Sequence, residues 1–407
     1  MSAQDIHVVV VGVSTAGLVI AKKVAALAQN GFKNLHVTII DKNAYSYHAI
    51  GAPRAIVDKE YGKKLLFRLD TVLAQFEVDS TQPKHRFIQA TLTSVQSDKT
   101  VELSNGEQIK FDYLVLATGA TNSFPANVHA PTLESARSQL AKLHANVEQA
   151  TSVLVIGGGA VGVEIAGEVA DHYPSKKVTL VHSGERLLPL NFKESLSNGA
   201  VSKLQRLGVE VVLNERMDIP ADTRFDGSIQ KLVLSGRSGR TYNSDMQFLA
   251  TGTKLHTEYM GTLEKQLGVV LREKNGAIKV SPTLQLDTDA MPTVFVVGDV
   301  NSLPAGAKYA VKAVEQAQLA AANLITMIQA GVHDSGKTTS SSPVLQNWNG
   351  SVMNMIAVPI GKSLGVMQVM GLAFGKSYIG DFLVSKIKGK DYLIGKTAKE
   401  FPPGANA

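Results

Sequence analysis

One pattern occurs twice in this chain and restricts its fold more than any other feature. Ile6–Val11 is an apolar, β-branched run interrupted only by His7. It stops at Gly12, a helical pattern follows over Leu18–Ala28, and Val37–Ile40 is a second short apolar run. About 145 residues later the order recurs as Val153–Ile156, a cluster of glycines, Val161–Ala170 and Val178–Val181. Short continuous apolar runs read as strands buried on both faces. Strand, helix and strand in alternation require a parallel sheet with crossover helices. Two such units, with the alternation continuing to about residue 330, predict an α/β chain with two Rossmann-like lobes, each shaped for a nucleotide.

The first turn reads Gly12-Val13-Ser14-Thr15-Ala16-Gly17. A pyrophosphate requires a tight turn, close backbone approach and free N–H groups at a helix N-terminus. Gly12 and Gly17 supply the turn and the close helix packing, while Ser14 stands where a middle glycine is usual and narrows the approach. Asp41 ends the next strand, where a carboxylate accepts hydrogen bonds from an adenosine ribose. The second turn, Gly157-Gly158-Gly159-Ala160-Val161-Gly162, has all three glycines, and Glu164 follows two residues on. Here the strand-end acid is missing, and the positions offer His182 and then Arg186. An acid repels a 2′-phosphate, whereas His and Arg accept one, so NADH and NADPH both stay open as the reductant.

Three more segments carry the same kind of signal. Tyr113–Gly119 and Met246–Gly252 are both apolar strands ending in Ala-Thr-Gly, at Thr118-Gly119 and Thr251-Gly252. Thr293–Asp299 is a strand ending in Gly298-Asp299. A carboxylate at such a tip can hold a ribityl or ribose hydroxyl while neighbouring N–H groups meet a phosphate.

Composition removes several chemistries. The chain has no cysteine, which excludes disulfides, iron–sulfur clusters, Cys-ligated zinc and any dithiol relay. The net charge of +6 over 407 residues is mildly basic, and no clustered Arg/aromatic face marks a nucleic-acid binder. The opening MSAQDIHVVVVG carries no basic region with a long apolar stretch, and Ser2 stands where N-myristoylation needs glycine. No apolar run is long enough for a membrane span. The expectation is a cytoplasmic protein, with peripheral contact to a membrane or lipid surface left open.

The ordered motifs VVVGxSxAG, ATG, GGGxxGxE, ATG and VGD, spread over residues 6–330, resemble the two-dinucleotide-binding-domain flavoproteins, a superfamily that also holds the type II NADH dehydrogenases. Within it the chain is similar to the ferroptosis suppressor and apoptosis-inducing-factor-like (mitochondria-associated-2) branch. The similarity is carried by Tyr47-His48-Ala-Ile-Gly-Ala-Pro-Arg54, by Lys176–Ser183 and by Ala307-Lys308-Tyr-Ala, with looser support from Gly365–Phe374 and Asp381–Leu393. The resemblance implies FAD in a discontinuous domain, residues 1–122 and 251–330, and NADH or NADPH in residues 123–250. A small α+β domain would occupy residues 343–407. It places Gly12, Val13, Ser14, Thr15, Ala16, Gly17, Asp41, Arg54 and Asp299 on the FAD contacts. Ile88 falls near a backbone contact to the adenine, and Lys308 beside the flavin. Glu164 falls on a glutamate that lies near the nicotinamide and that the branch needs for activity. The remaining contacts expected from the motifs are Thr118, Gly119, Gly157, Gly159, Gly162, His182, Arg186, Thr251, Gly252 and Gly298. His48 is expected to be structural or exposed.

The tail is distinct. Residues 330–342 read as an exposed linker. Residues 343–407 hold seven lysines and no arginine against Asp381, Asp391 and Glu400, so +4 of the chain's +6 lies there. Val352–Phe374 is broken by glycines and Pro359 and reads as hairpin strands packed on the flavin lobe, while Tyr378–Lys390 suits a membrane surface or a dimer contact. Without cysteine, electrons must leave the flavin directly. The expected function is an FAD-dependent NAD(P)H oxidoreductase that passes electrons to a quinone-type acceptor or oxygen. The alternatives are a reductase of a ferredoxin- or rubredoxin-like carrier, or a redox-sensing flavoprotein with little turnover.

Overall fold

The computed structural model describes residues 5–79, 81–304, 308–332, 343–350 and 355–406. Most of the expected linker, Ala307 of the third resemblance segment, Ser2 and Val352 lie outside the described residues.

The first lobe is a five-stranded, all-parallel sheet. Its order is Val294–Val296, Tyr113–Leu116, Ile6–Val11, Leu35–Asp41, Arg86–Gln89. Helices Thr15–Gln29 and Ala310–Gln329 cover one face, and Val8, Val10, Ile20, Val24, Val37, Ala317 and Leu324 are all but inaccessible in the core between them. The second lobe repeats the plan with four parallel strands, Glu210–Val212, Lys177–Val181, Ser152–Ile156 and Met246–Leu249. Helix Ala160–His172 crosses between the inner pair.

The duplication extends to single hydrogen bonds. Gly12 N–H donates to Ile40 O at 2.8 Å, and Gly157 N–H donates to Val181 O at 2.8 Å. Ala117 N–H donates to Val11 O and Ala250 N–H to Ile156 O, again both at 2.8 Å. In each lobe a three-stranded antiparallel meander leads into the last shared strand: Leu92–Val95, Thr100–Leu103 and Gln108–Lys110 in the first, and Met217–Asp218, Leu232–Gly236 and Thr241–Ser244 in the second. The connections between lobes are paired, Ala120–Thr121 running antiparallel to Lys254–Leu255.

The tail forms the expected hairpins, Ile356–Ile360, Leu364–Val369 and Leu372–Phe374, followed by helix Tyr378–Val384. Its packing differs from the expectation. Val358, Ile360 and Val366 enter the core of the second lobe, not the flavin lobe. Glycines make this approach possible: a Cβ on Gly167 would sit 2.9 Å from Ile360 Cα, and one on Gly375 would sit 2.2 Å from Ser195 O. A buried Lys203–Asp381 pair at 2.6 Å fixes the contact. Both ends of the tail meet the first lobe: Leu345 and Trp348 pack against its core, and Tyr392, Ile394, Phe401 and Ala405 join that core, with Phe401 stacked on Phe67 at 4.4 Å. The tail is thus a strap over both lobes. Among the described residues no helix is long and apolar enough to cross a membrane.

Candidate functional site

The two glycine turns show why these positions exclude a side chain. Gly12 and Gly157 both have positive φ (+87° and +117°). A Cβ there would lie 2.3 Å from Ala117 O or 2.6 Å from Ala250 O. A Cβ on Gly17 or Gly162 would lie 1.9 Å from the carbonyl oxygen of Gly12 or Gly157, respectively. Each turn therefore closes onto the strand tip beside it and onto its own helix. The middle position behaves differently: nothing lies within 4 Å of a Cβ built on Gly159, and Ser14 at the matching site is exposed and caps no N–H. Thr15 is also exposed, whereas Val13 and Ala16 are buried.

Below each turn lies the side chain that ends the second strand. Asp41 Oδ2 accepts the Val13 N–H at 2.8 Å and Oδ1 accepts the Asn43 N–H at 3.0 Å. Burial pushes its carboxyl above the usual range, with these N–H donors opposing. Each oxygen keeps a lone pair for a ribose hydroxyl. In the second lobe His182 Nδ1 accepts the Gly158 N–H at 3.1 Å, and burial holds the imidazole pKa low. A neutral ring thus replaces an anion in the same structural role. Arg186 Nη2 donates to Leu190 O at 2.6 Å, while its buried Nε has no partner among the described residues.

The strand tips complete the first lobe. Gly119 and Gly252 have positive φ with open space where a Cβ would point. Thr118 Oγ1 lies 2.9 Å from Tyr259 OH, and the Thr251 methyl lies where a Cβ on Gly157 would go. Ile88 pairs with Ile40, next to Asp41. Gly298 faces Ala16, with a built Cβ 3.8 Å from that methyl, so the Gly298-Asp299 turn adjoins the first glycine turn. Burial raises the Asp299 pKa, and nearby Lys308 opposes the rise. Lys308 is no solvated helix-start lysine. Its Nζ donates to Asp299 O at 2.8 Å, to Asn301 O, and to Asn301 Oδ1 at 3.1 Å. Burial pushes its pKa down to about 8.

A buried ionic cluster joins the lobes and the tail. Glu164 and Glu168 lie one turn apart on helix Ala160–His172 and are nearly inaccessible. Lys388 Nζ donates to Glu164 Oε1 at 2.5 Å. Arg54, expected on FAD, holds Glu168 in a fork, Nε to Oε2 at 2.6 Å and Nη2 to Oε1 at 2.8 Å, and also donates to Gly389 O. Tyr392 OH donates to Glu168 Oε1 at 2.8 Å, and its ring lies beneath both the Arg54 guanidinium (5.3 Å) and the Lys388 ammonium (5.6 Å). His48 is buried and structural: Nε2 contacts Tyr392 O at 2.7 Å and Nδ1 contacts Thr397 Oγ1 at 2.9 Å. Burial raises the Glu164 pKa, with Lys388 opposing.

Lys388, Glu168 and Tyr392 escaped sequence reasoning. Two acids at i and i+4 on a helix beginning at the glycine turn signal a demand for cations. Nothing local says which of the seven tail lysines answers it.

Two glycine cradles that a single methyl would fill, one with an acid below and one without, fit an FAD and a nicotinamide nucleotide. Residues 6–322 match the model of the pyridine nucleotide-disulphide oxidoreductase family, and the chain belongs to that family of FAD- and NAD(P)H-dependent oxidoreductases. With no cysteine, this member lacks the dithiol that the family name invokes. Among its relatives, ferroptosis suppressor protein 1 of Homo sapiens is 25% identical over 98% of this chain and 97% of its own. The FAD-dependent oxidoreductase FVFD30 of Flammulina velutipes is 31% identical over 77% of this chain and 90% of its own. The sulfide:quinone oxidoreductase of Aquifex aeolicus shares the fold, with a TM-score of 0.64 at 17% identity over 98% of this chain and 93% of its own.

Proposed function

We propose that the protein is an NAD(P)H:quinone-type oxidoreductase in which the first lobe retains FAD and the second lobe exchanges the nicotinamide nucleotide. The observation that carries this reading is the matched pair of glycine cradles in a chain with no thiol. Such a chain can take electrons from one nucleotide and has only the other through which to release them. The full-length fold shared with an enzyme named for quinone favours a quinone over other acceptors. In balance, the nicotinamide gives up a hydride, and the quinone gains two electrons and two protons, the second proton coming from solvent.

FAD, when bound, supplies the two-electron relay. The chain's own residues bind, orient and exclude water. Val13 N–H fixes Asp41 under the adenosine end of the first site, and Asp299 presents a carboxylate at the adjoining turn. Glu164 supplies an acceptor in the second lobe that orients the nicotinamide amide. Lys388 donates to Glu164 and opposes the rise in its pKa that burial causes, and it brings an ammonium group to the cleft between the lobes. Arg54 and Glu168 hold the lobes in register, so the geometry is set before substrate arrives.

Anaerobic stopped-flow mixing tests the reading. Bound flavin should bleach with NADH or NADPH and recover its colour on addition of a short-chain quinone. Flavin that stays oxidised with both nucleotides overturns it.

A further inference from the structure

The second glycine turn is held by the loop that follows its neighbouring strand. His182 comes directly after strand Lys177–Val181, and the chain doubles back over the turn through Leu188, whose φ is +66°. The Gly158 backbone is gripped twice. Its N–H donates to His182 Nδ1 at 3.1 Å, and its carbonyl oxygen accepts the Leu188 N–H at 2.8 Å. A Cβ on Gly158 would lie 2.5 Å from Leu187 Cδ2 and 2.7 Å from His182 Cγ, so loop and turn are packed as one body.

That contact sets the protonation state of the ring. An N–H donor requires a lone pair at Nδ1, so the ring proton sits on Nε2, and a hydrogen bond with the Arg186 backbone engages the ring a second time. Protonation would turn Nδ1 into a donor facing a donor. In the first lobe the corresponding N–H, that of Val13, is accepted by Asp41, and a carboxyl group keeps lone pairs in either protonation state. The charged groups around His182 are Glu185 and Arg186 on its own loop and Glu215, whose N–H donates to His182 O at 3.0 Å. Glu185 is exposed, Arg186 Nη2 turns to Leu190 O, and the Glu215 carboxylate accepts the Ser238 N–H at 3.2 Å. The turn itself, residues 157–162, carries no charge. Burial holds the imidazole pKa below its ordinary value, and only the bond with the Arg186 backbone opposes this.

We infer that His182 is a positioning residue for the nicotinamide nucleotide: its neutral imidazole holds the glycine turn closed through Gly158, and proton uptake by the ring loosens the nucleotide without touching the flavin site. This role rests on the second lobe being the nicotinamide site of the proposed reaction. The turn's N–H groups meet a pyrophosphate only while the turn keeps its shape, and the bond at Gly158 keeps it. With a proton on Nδ1 that bond is lost and two donors oppose each other. The nucleotide-free protein therefore takes up a proton that must leave when the nucleotide binds, and affinity falls as the pH drops through the imidazole pKa.

The test uses full-length, FAD-loaded protein and NADH, because the 2′-phosphate of NADPH itself titrates at about pH 6. In anaerobic stopped-flow reduction, the NADH concentration giving half the limiting rate should rise roughly fivefold or more from pH 7 to pH 5. The limiting rate and the flavin content should hold steady. His182→Asn keeps an acceptor that does not titrate, so its half-saturation should vary less than about twofold over that range. His182→Leu removes the acceptor and should raise half-saturation about tenfold at both pH values. Calorimetric titration with ADP-ribose, which has the pyrophosphate and both riboses but no hydride to give, should weaken with acid in the wild type by the same factor. Wild-type affinity that is flat overturns the inference, as does affinity that tightens with acid, the result if an imidazolium simply drew the phosphates. A His182→Asn variant that keeps the wild-type slope also overturns it. If that variant fails to fold, the wild-type ADP-ribose titration decides. Flavin that neither nucleotide reduces, beside ADP-ribose binding that keeps its pH dependence, would overturn the oxidoreductase reading alone and leave the role of His182 standing.

Discussion

The two lobes share a backbone plan down to matching 2.8 Å hydrogen bonds, yet differ at three positions that determine what each can hold. Below the glycine turn, Asp41 in the first lobe becomes His182 in the second. On the crossover helix, seven residues after the first glycine, Val19 becomes Glu164. At the sheet edge the first lobe has an additional strand, Val294–Val296, whose tip carries Asp299 and adjoins the first glycine turn. The extra strand gives the first lobe a carboxylate beside its glycine turn that the second lobe lacks, in keeping with the proposal that the first lobe retains its cofactor while the second exchanges its own.

The largest predicted effects separate the lobes. Gly17→Ala and Gly162→Ala place a Cβ 1.9 Å from equivalent carbonyl oxygens, so strain should cost about 3 kcal/mol or more at each site, roughly a hundredfold in binding. Gly17→Ala should yield colourless protein that regains colour only with excess FAD. Gly162→Ala should stay yellow yet be reduced by NAD(P)H about a hundredfold more slowly at limiting nucleotide. Loss of flavin from both variants, measured as the absorbance ratio after gel filtration, would break the division of roles.

Next in size is the pair that only the second lobe carries. Lys388→Met strands a buried carboxylate, and removing one partner of a buried ion pair costs about 3–5 kcal/mol, less if Glu164 takes up a proton instead. Glu164→Gln together with Lys388→Met should restore most of the thermal stability lost in the single variant. It should not restore the rate of flavin reduction. Recovery of rate along with stability would make the pair a structural strut and no more.

How much of this was legible beforehand follows from range. The strands, crossover helices and glycine turns are local: periodicity and φ-permissive residues mark them within about ten residues, and the second copy confirms the first. The hairpin character of residues 356–374 was legible for the same reason. What Arg54 and Lys388 touch was not. Arg54 meets Glu168 across 114 residues and Lys388 meets Glu164 across 224, and no local pattern encodes such partners. The docking of the tail sheet on the second lobe was hidden likewise, because Gly167 and Gly375 look like ordinary glycines until the opposing backbone is in place.

A smaller effect sharpens the difference below the glycine turns. His182→Asp would give the second lobe the anion that the first has, and a carboxylate repels a 2′-phosphate. The ratio of kcat/KM for NADPH to that for NADH should fall about tenfold or more, with FAD content unchanged. Asp accepts the Gly158 N–H as Asp41 accepts that of Val13, so the turn should survive. An unchanged ratio would mean that position 182 does not face the adenosine ribose.

The smallest effect belongs to the strand tip that the second lobe lacks. Lys308 titrates near 8 in the folded chain, against an ordinary value of 10.5. Across that interval the unfolded chain holds a proton that the folded chain has released, so stability rises with pH there and is flat below it. Lys308→Met removes the contribution. The melting temperature of the wild type minus that of the variant should therefore climb between pH 8 and 10, by only ~1–2 °C because the ammonium is partly solvated. A difference that falls across this window would mean that the three oxygens of Asp299 and Asn301 stabilise the ammonium more than burial penalises it. Lys308 would then act as a fixed positive charge beside the first site, and the contrast between the lobes would rest on Asp299 alone.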